Sequence, residues 1–455
     1  MMNRLPNPIL AALALLVISF AITAGAQASA PPAAPLPSAH KGFFSRWADF
    51  YREDWKSSVP SDAGASGTVP SGTAQPSTAP PRRGLPSPLG SPPYPSADWS
   101  YGGSPTIGEA DGNVYPLQTA INGASGRVKL YGWVEPTLNA STAGVATAAR
   151  NYPVINDIYS NRLELGQFVV YLERLPDTVQ RDHIDWGFHL TSLFGTDYRS
   201  TTNKGYFSGQ LLDDNRQYGF DPALEYVDIY FPHVAQGMNL RIGRFISIPG
   251  IEAQLTPNNY LFSHSLLYSV DPFTDTGALA TIQTTQQTVV QIGVSASHDV
   301  APWTSDAKPS VMACVSHSTK SANDNSYTCI NGLNDGKYAF NNIQMYDETW
   351  YHKFNANWHM ATETYFMYER DVPSTHGSIA LEKGTNGANC ASGQDRCFAP
   401  EYAWVNYLNR QLGAHDYVTL RNDFLNDKKG QRTGYAGRLS EVTLAWNHWI
   451  GSTVQ

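Results

Sequence analysis

His183-Ile-Asp-Trp-Gly-Phe-His-Leu-Thr191 alternates without a break between apolar and polar or small residues. Ile184, Trp186, Phe188 and Leu190 fall on one side of an extended chain, and Asp185, Gly187, His189 and Thr191 on the other. A period of two is the strand period. A water-soluble strand hides its greasy side in a core. A strand in an outer membrane turns that side to lipid and its polar side to a wet lumen. The alternation recurs from about Val128 to Ile450, so the choice between these two environments decides the fold.

The flanking composition narrows that choice. Residues 1–30 carry Arg4, an apolar stretch from Ile9 to Gly25, and small-residue cleavage sites at Ala26-Gln27-Ala28 and Ala28-Ser29-Ala30. They read as a signal peptide. No later stretch approaches a helical span of about 20 apolar residues. An exported chain of this kind is either soluble or a β-barrel, because only helices and closed barrels satisfy their backbone groups in lipid. Charged residues make up 15% of the chain and Tyr alone numbers 25, against roughly 25% charged in ordinary soluble domains. Few charges with many aromatics suit a barrel with aromatic girdles. The net charge is −8, and one unit more negative without Arg4; with no clustered basic stripe, no nucleic-acid partner is expected.

From residue 31 to about 100 the chain is dominated by Pro, Ala, Ser and Gly and reads as a flexible or semi-extended spacer. One island at 41–56 places Phe43, Phe44, Trp47, Phe50, Tyr51 and Trp55 at helical spacing, which predicts a short amphipathic helix. It suits either the membrane interface, a periplasmic docking element, or packing on a barrel rim. The barrel domain is expected over 101–455.

Fourteen strands are predicted, at roughly 127–135, 162–174, 183–195, 222–232, 238–248, 278–284, 288–298, 309–319, 326–332, 343–357, 361–371, 402–412, 415–425 and 438–450. Long connections (136–161, 196–221, 249–277, 372–401) alternate with short ones (175–182, 233–237, 285–287, 320–325, 358–360, 413–414). Long outer loops alternating with tight turns are an outer-membrane barrel signature, and a soluble sandwich has no reason to keep it. Facing agrees: Val418, Leu420 and Phe424 oppose Thr419, Arg421 and Asp423, while Val442, Leu444 and Trp446 oppose Glu441, Thr443 and Asn447. The predicted fold is all-β, a transmembrane antiparallel up-and-down barrel of about 14 strands in this chain.

Cys314, Cys329, Cys390 and Cys397 are the only cysteines. Export permits disulfides. A hairpin turning near Ser321 and Ala322 sets Cys314 opposite Cys329, and Cys390 with Cys397 closes a small loop. Four cysteines allow three pairings, of which these two local ones are expected. Their wide, uneven gaps do not suit a zinc site, so no metal and no cofactor are expected.

Several runs resemble the OmpL-like β-barrel porins of Gram-negative bacteria. They are Pro-Ser-Ala-Asp-Trp-Ser-Tyr-Gly-Gly-Ser-Pro-Thr-Ile-Gly at 95–108, Asn-Arg-Leu-Glu-Leu at 161–165, Glu-Arg-Leu-Pro-Asp-Thr-Val-Gln-Arg-Asp at 173–182, Gly-Tyr-Phe-Ser at 205–208 and Arg-Ile-Gly-Arg-Phe-Ile-Ser-Ile-Pro-Gly-Ile-Glu at 241–252. The likeness covers most of 95–450 and implies an outer-membrane barrel with pore activity. Barrels of this kind finish on a strand with a terminal aromatic read by the assembly machinery, whereas this sequence stops at Gly-Ser-Thr-Val-Gln. Two further strands, sixteen in all, are therefore expected in a complete member.

A ring of this size leaves an aqueous channel, whose selectivity depends on lumen charges and any loop folded inward. Connection 249–277 is the expected constriction, bent by Pro249, Gly250, Pro257 and Pro272 and carrying the acids Glu252, Asp271 and Asp275. Strand parity turns Arg241, Lys353, Arg421, Asp185, His189 and Asp423 to the lumen, where opposed charges would set a transverse field. Arg244 shares the parity of Leu240 and Ile242, which puts it near the interface or beyond a bulge.

Enzyme motifs are missing from the sequence. In Gly205-Tyr-Phe-Ser-Gly209 the serine stands one place late for a nucleophile elbow, and His359-Met-Ala-Thr-Glu363 is not H-E-x-x-H. The expectation is a diffusion porin of the outer membrane passing small hydrophilic solutes. Its partners would be outer-membrane lipid and the barrel assembly machinery, with a homotrimer as one assembly open to it. A structural or adhesive barrel with ligand-binding outer loops is the alternative. A soluble exported carbohydrate-binding protein, which would bury Trp186 and Leu444, is the third class.

Overall fold

The computed structural model describes residues 42–56, 107–108, 115–122, 126–142 and 151–450, apart from 152, 249, 257–258, 322, 356, 376–386 and 414. The expected leader and most of the spacer lie outside the described residues, as do Pro249 and Pro257. Fourteen strands follow one another: β1 (Lys129–Leu138), β2 (Leu163–Arg174), β3 (Asp185–Gly195), β4 (Gly219–Phe231), β5 (Met238–Ile246), β6 (Thr274–Gln283), β7 (Thr288–His298), β8 (Ser310–Ser318), β9 (Asp324–Leu333), β10 (Gln344–Lys353), β11 (Trp358–Pro373), β12 (Arg396–Gln411), β13 (Asp416–Asp427) and β14 (Gly437–His448). Each pairs antiparallel with its chain neighbours in a single up-and-down sheet. The ladder runs from β1 to β14, and among the described residues no pairing joins these two ends.

Three boundaries differ from the sequence reading by four residues or more. β6 begins at Thr274 rather than 278, so the loop before it is shorter by several residues. The tenth predicted strand overran: β10 stops at Lys353 and β11 starts at Trp358. There the Asn355 side chain accepts from the amides of Asn357 (2.9 Å) and Trp358 (3.1 Å), a local bond that competes with the ladder. β12 starts at Arg396, six residues early, because the Cys390–Cys397 bridge and the Val372–Cys397 pairing extend it.

The faces sort by period two. Trp186 and Leu444 are 53% and 73% exposed, with Val134, Ile292 and Val294 also outward, while Asp185, His189, Thr191, Thr419, Arg421 and Asp423 are buried on the opposite face. A soluble sandwich would show the reverse. The outward side chains stand where hydrocarbon would meet them, and the inward ones are polar or tyrosine-rich. Arg244 has outward parity but is fully buried. Near the long-loop end of β5 it donates to Asp221 (2.9 and 3.0 Å) and to the Thr201 carbonyl (2.6 Å), with the Tyr206 ring 5.1 Å away. Connection 196–218 thus covers it, and the pairings of β5 show no bulge.

Before the sheet stand two helices, α1 (Phe43–Asp54) and α2 (Pro116–Asn122). Phe43, Trp47, Tyr51 and Trp55 succeed each other along α1 with ring centroids 5.9, 6.2 and 5.8 Å apart. Arg46 donates to the Ala120 carbonyl at 2.6 and 2.9 Å. Within and beside α2, Tyr115 stacks on Tyr131 at 3.9 Å and Gln118 accepts from the Leu130 amide at 2.9 Å. That glutamine thereby satisfies a backbone donor at the outer edge of β1.

Cys314 pairs directly across from Cys329 on β8 and β9, and a disulfide joins them; a second joins Cys390 to Cys397. The first closes a separation of 15 residues, so Cys314→Ser should lower stability in urea titration by about 3 kcal/mol. Leu190→Arg, which puts a charge on the outward face, should cost about 2–4 kcal/mol when unfolding is followed in lipid vesicles.

Candidate channel site: an inward loop and its anchors

The connection between β5 and β6, residues 247–273, does not stand away from the sheet. Its apolar residues Ile251, Ala253, Tyr260, Leu261, Leu266, Leu267 and Val270 are buried against inward residues of β10 to β13, among them Met345, Ala361, Tyr365, Val405 and Tyr407. Ile248 and Leu255 belong instead to a second cluster with Tyr131, Tyr171, Leu193 and Tyr226 on the β1–β4 wall. Each buried Leu or Ile contributes roughly 1.5–3 kcal/mol, which holds the loop inside. A loop rooted on β5 and β6 reaches both walls only because the sheet curls around it.

Burying a loop backbone requires partners for its amides and carbonyls, and the walls supply them. Ile251 N donates to Glu363 (2.6 Å) and Leu266 N to Asp423 (3.2 Å). The carbonyls of Ser263, Tyr260, Gln254 and Val270 accept from Arg421 (2.5 Å), Asn447 (3.2 Å), Gln167 (3.0 Å) and Arg432 (2.6 and 3.1 Å). Asn331 holds the Ile248 carbonyl. A five-residue helix, α3 (Leu266–Val270), is capped by the Ser265 hydroxyl, which accepts from Tyr268 N at 3.1 Å.

The loop carboxylate Glu252 lies at the centre of the ionic contacts. It accepts from Ser265 N (3.0 and 3.2 Å) and the Ser265 hydroxyl (2.7 Å), and stands 3.5 Å from Arg421 and 3.8 Å from His264. Arg421 is fully buried and also meets Glu441 (2.6 Å) and Asp423 (3.4 Å). Burial by itself would raise the Glu252 carboxyl, but His264, Arg421 and Ser265 outweigh it and hold it at about 2. Elsewhere burial pushes Asp197, at the end of β3, up to about 6; it accepts from the Gln167 amide (3.1 Å) that also holds the loop.

Of the residues expected to line the lumen, Glu252, Arg421 and Asp423 are brought together. Arg241 and His189 form a separate group on β3–β5. Arg241 bonds Asp228 twice at 2.9 Å over the Tyr226 ring, and His189 sits between Glu173 (3.0 Å) and Thr191 (2.6 Å), stacked on Tyr226. Asp185 serves the short-turn end, where Arg174 (2.9 Å), Arg127 and the Asp177 amide (2.7 Å) converge on it. Lys353 ends β10, and Asp271 is buried just after α3. Asp275 is corrected: it belongs to β6, not to the loop, and is paired with His298 at 2.9 Å. The transverse field is corrected too, because Arg241 and Arg421 touch carboxylates instead of facing them across open space. Glu363, Gln167, Asn331, Arg432 and Asn447 went unnoticed as anchors. Inward parity was the available signal for most of them.

The geometry is that of a polar-lined barrel with an inward loop. The family described as putative beta-barrel porin-2, OmpL-like, matches residues 127–454. The chain belongs to this family. Among solved structures, the outer membrane channel DcaP of Acinetobacter baumannii aligns with TM-score 0.42 and 10% identity over 70% of this chain and 86% of that one. OccK8 (OprE) of Pseudomonas aeruginosa aligns with TM-score 0.32 and 8% identity, covering 66% and 69%. OccAB4 of Acinetobacter baumannii gives 0.31, 8%, 69% and 69%. A search of curated proteins returns no match. This member of the OmpL-like porin family is a β-barrel protein of the bacterial outer membrane.

The Glu252 contacts set a pH window. A carboxyl depressed from an ordinary 4.5 to about 2 adds stability above 4.5 that is lost as pH falls towards 2. Protease protection of residues 247–273 should therefore be full at neutral pH and decline only below 4.5. Glu252→Gln should flatten that dependence; loop release at pH 6 would contradict the assignment.

Proposed function

We propose that this barrel is a diffusion channel for small hydrophilic solutes and that residues 247–273 form its constriction. The observation that carries the reading is the loop's span, from roots on β5 and β6 to Glu363, Arg421, Asp423 and Asn447 on the far wall. Glu252, Asp271, Arg241, His189, Lys353, Arg421 and Asp423 line or brace the passage. Its transport needs binding no stronger than a hydrated polar wall provides. Insertion by the barrel assembly machinery belongs to the same reading.

Inward carboxylates at Glu173, Asp228, Asp347, Glu363, Glu401 and Asp423 outnumber the inward bases Lys129, Arg241 and Arg421. Acidic linings favour cations, so the passage is proposed to prefer them. In planar bilayers the full chain should give discrete conductance steps with a reversal potential on the cation side of a salt gradient. Replacing residues 251–270 by a short Gly-Ser turn should raise conductance several-fold. A folded barrel without conductance would instead favour the adhesive alternative.

A further inference from the structure

One row of directly paired residues crosses the outward face near the long-loop end of β10–β14. Tyr346 stands opposite Phe366, Phe366 opposite Tyr402, Tyr402 opposite Asn426, and Asn426 opposite Arg438. Tyr346, Phe366 and Tyr402 are exposed, so this tier is an aromatic belt of the kind found at a membrane–water interface. Cations stand at its end and beyond it. Lys428 follows β13, its ammonium 5.3 Å from the Tyr402 ring. Arg370 lies 5.5 Å from the ring of Tyr368, which adjoins Phe366 (5.7 Å) and Phe398 (5.3 Å). Arg438 closes the row on β14.

Arg370, Lys428 and Arg438 are exposed, and none makes an ion pair or side-chain hydrogen bond among the described residues. Other cations at the long-loop end are taken up: Arg162 by Glu164 (3.6 Å), Arg216 by Asp214 (2.6 Å), Lys204 by Asp306 (2.7 Å) and Arg244 by Asp221 (2.9 Å). On the ends of β11–β14, Arg370, Arg396, Lys428 and Arg438 outnumber the exposed acids Asp371 and Asp395. That local excess is positive on a chain whose net charge is −8. On β1–β8 the outward face ends instead in exposed Leu138, Leu163, Phe194, Val294 and Val311.

We propose that the outward ends of β11–β14 bind an anionic lipid bearing two phosphates, drawn from the leaflet at the long-loop end. Phe366, Tyr402 and Trp404 offer apolar surface to its acyl chains. The cations at the edge of the belt stand at headgroup depth, where basic clusters bind phosphorylated lipids. Arg370 and Arg438 are separated by three strand spacings, about 14 Å, which is too wide for one phosphate and suits two. Each guanidinium can hold a phosphate with a pair of hydrogen bonds. The site lies on the outer wall and does not depend on conduction.

Lipid A, a glycolipid with two phosphates, is the probe. The full chain purified in neutral detergent should hold lipid A in native mass spectrometry more tightly than monophosphoryl lipid A, and far more tightly than phosphatidylcholine. Arg370→Gln with Lys428→Gln and Arg438→Gln should weaken lipid A binding at least about ten-fold, in a barrel whose heat-modifiable migration shows it folded. Lys308→Gln, at an exposed cation of another loop, should leave the affinity unchanged. Excess inorganic phosphate should leave the lipid in place. Overturning results are lipid A held no better than phosphatidylcholine or its monophosphoryl form, a triple variant that keeps its affinity, or release of the lipid by inorganic phosphate.

Discussion

An amide or carbonyl facing hydrocarbon has no water to turn to, and that constraint organises the whole chain. Fourteen consecutive strands meet it by bonding each to its neighbours. Once the ladder exists, the pleat sends alternate side chains to opposite sides, and the solvent on each side selects them. Only β1 and β14 keep an edge that no strand among the described residues covers. At β1 a side chain does part of that work, since Gln118 takes up the Leu130 amide.

Inside, the physics returns to that of a soluble core. Apolar loop residues pack on inward tyrosines and aliphatics in two clusters, with Ile248 and Leu255 in one and Ile251 to Val270 in the other. The loop therefore links opposite walls. Its backbone is bonded by side chains from β2, β9, β11, β13, β14 and the loop after β13, among others. A loop held this way keeps its shape, because moving it would strand several hydrogen-bonding groups at once.

The charges divide into groups with different duties. Asp185 with Arg174 and Arg127 stiffens a short turn; Arg244 with Asp221 pins a long loop to the wall; Arg421 with Glu252 and Asp423 fixes the inward loop. Each of these arginines is matched by at least one carboxylate.

Strand facing was legible from the sequence because its signal is local: two neighbours suffice to show that Trp186 and Asp185 point apart. Turn lengths were legible for the same reason, and hairpin register followed from them closely enough to set Cys314 against Cys329. The strand ends near 354–357 and 396 were not, since an Asn-capped turn and a disulfide moved them. Nor did parity separate Asp185, a rim clamp, from Asp423, a loop anchor. The sequence by itself determined which side chains face lipid and which face inward, since a period of two is written in consecutive residues. Only the tertiary structure decided that Glu252 meets Arg421 and that the loop crosses to the far wall, because those contacts exist only once the sheet has curled and brought distant strands within reach of one segment.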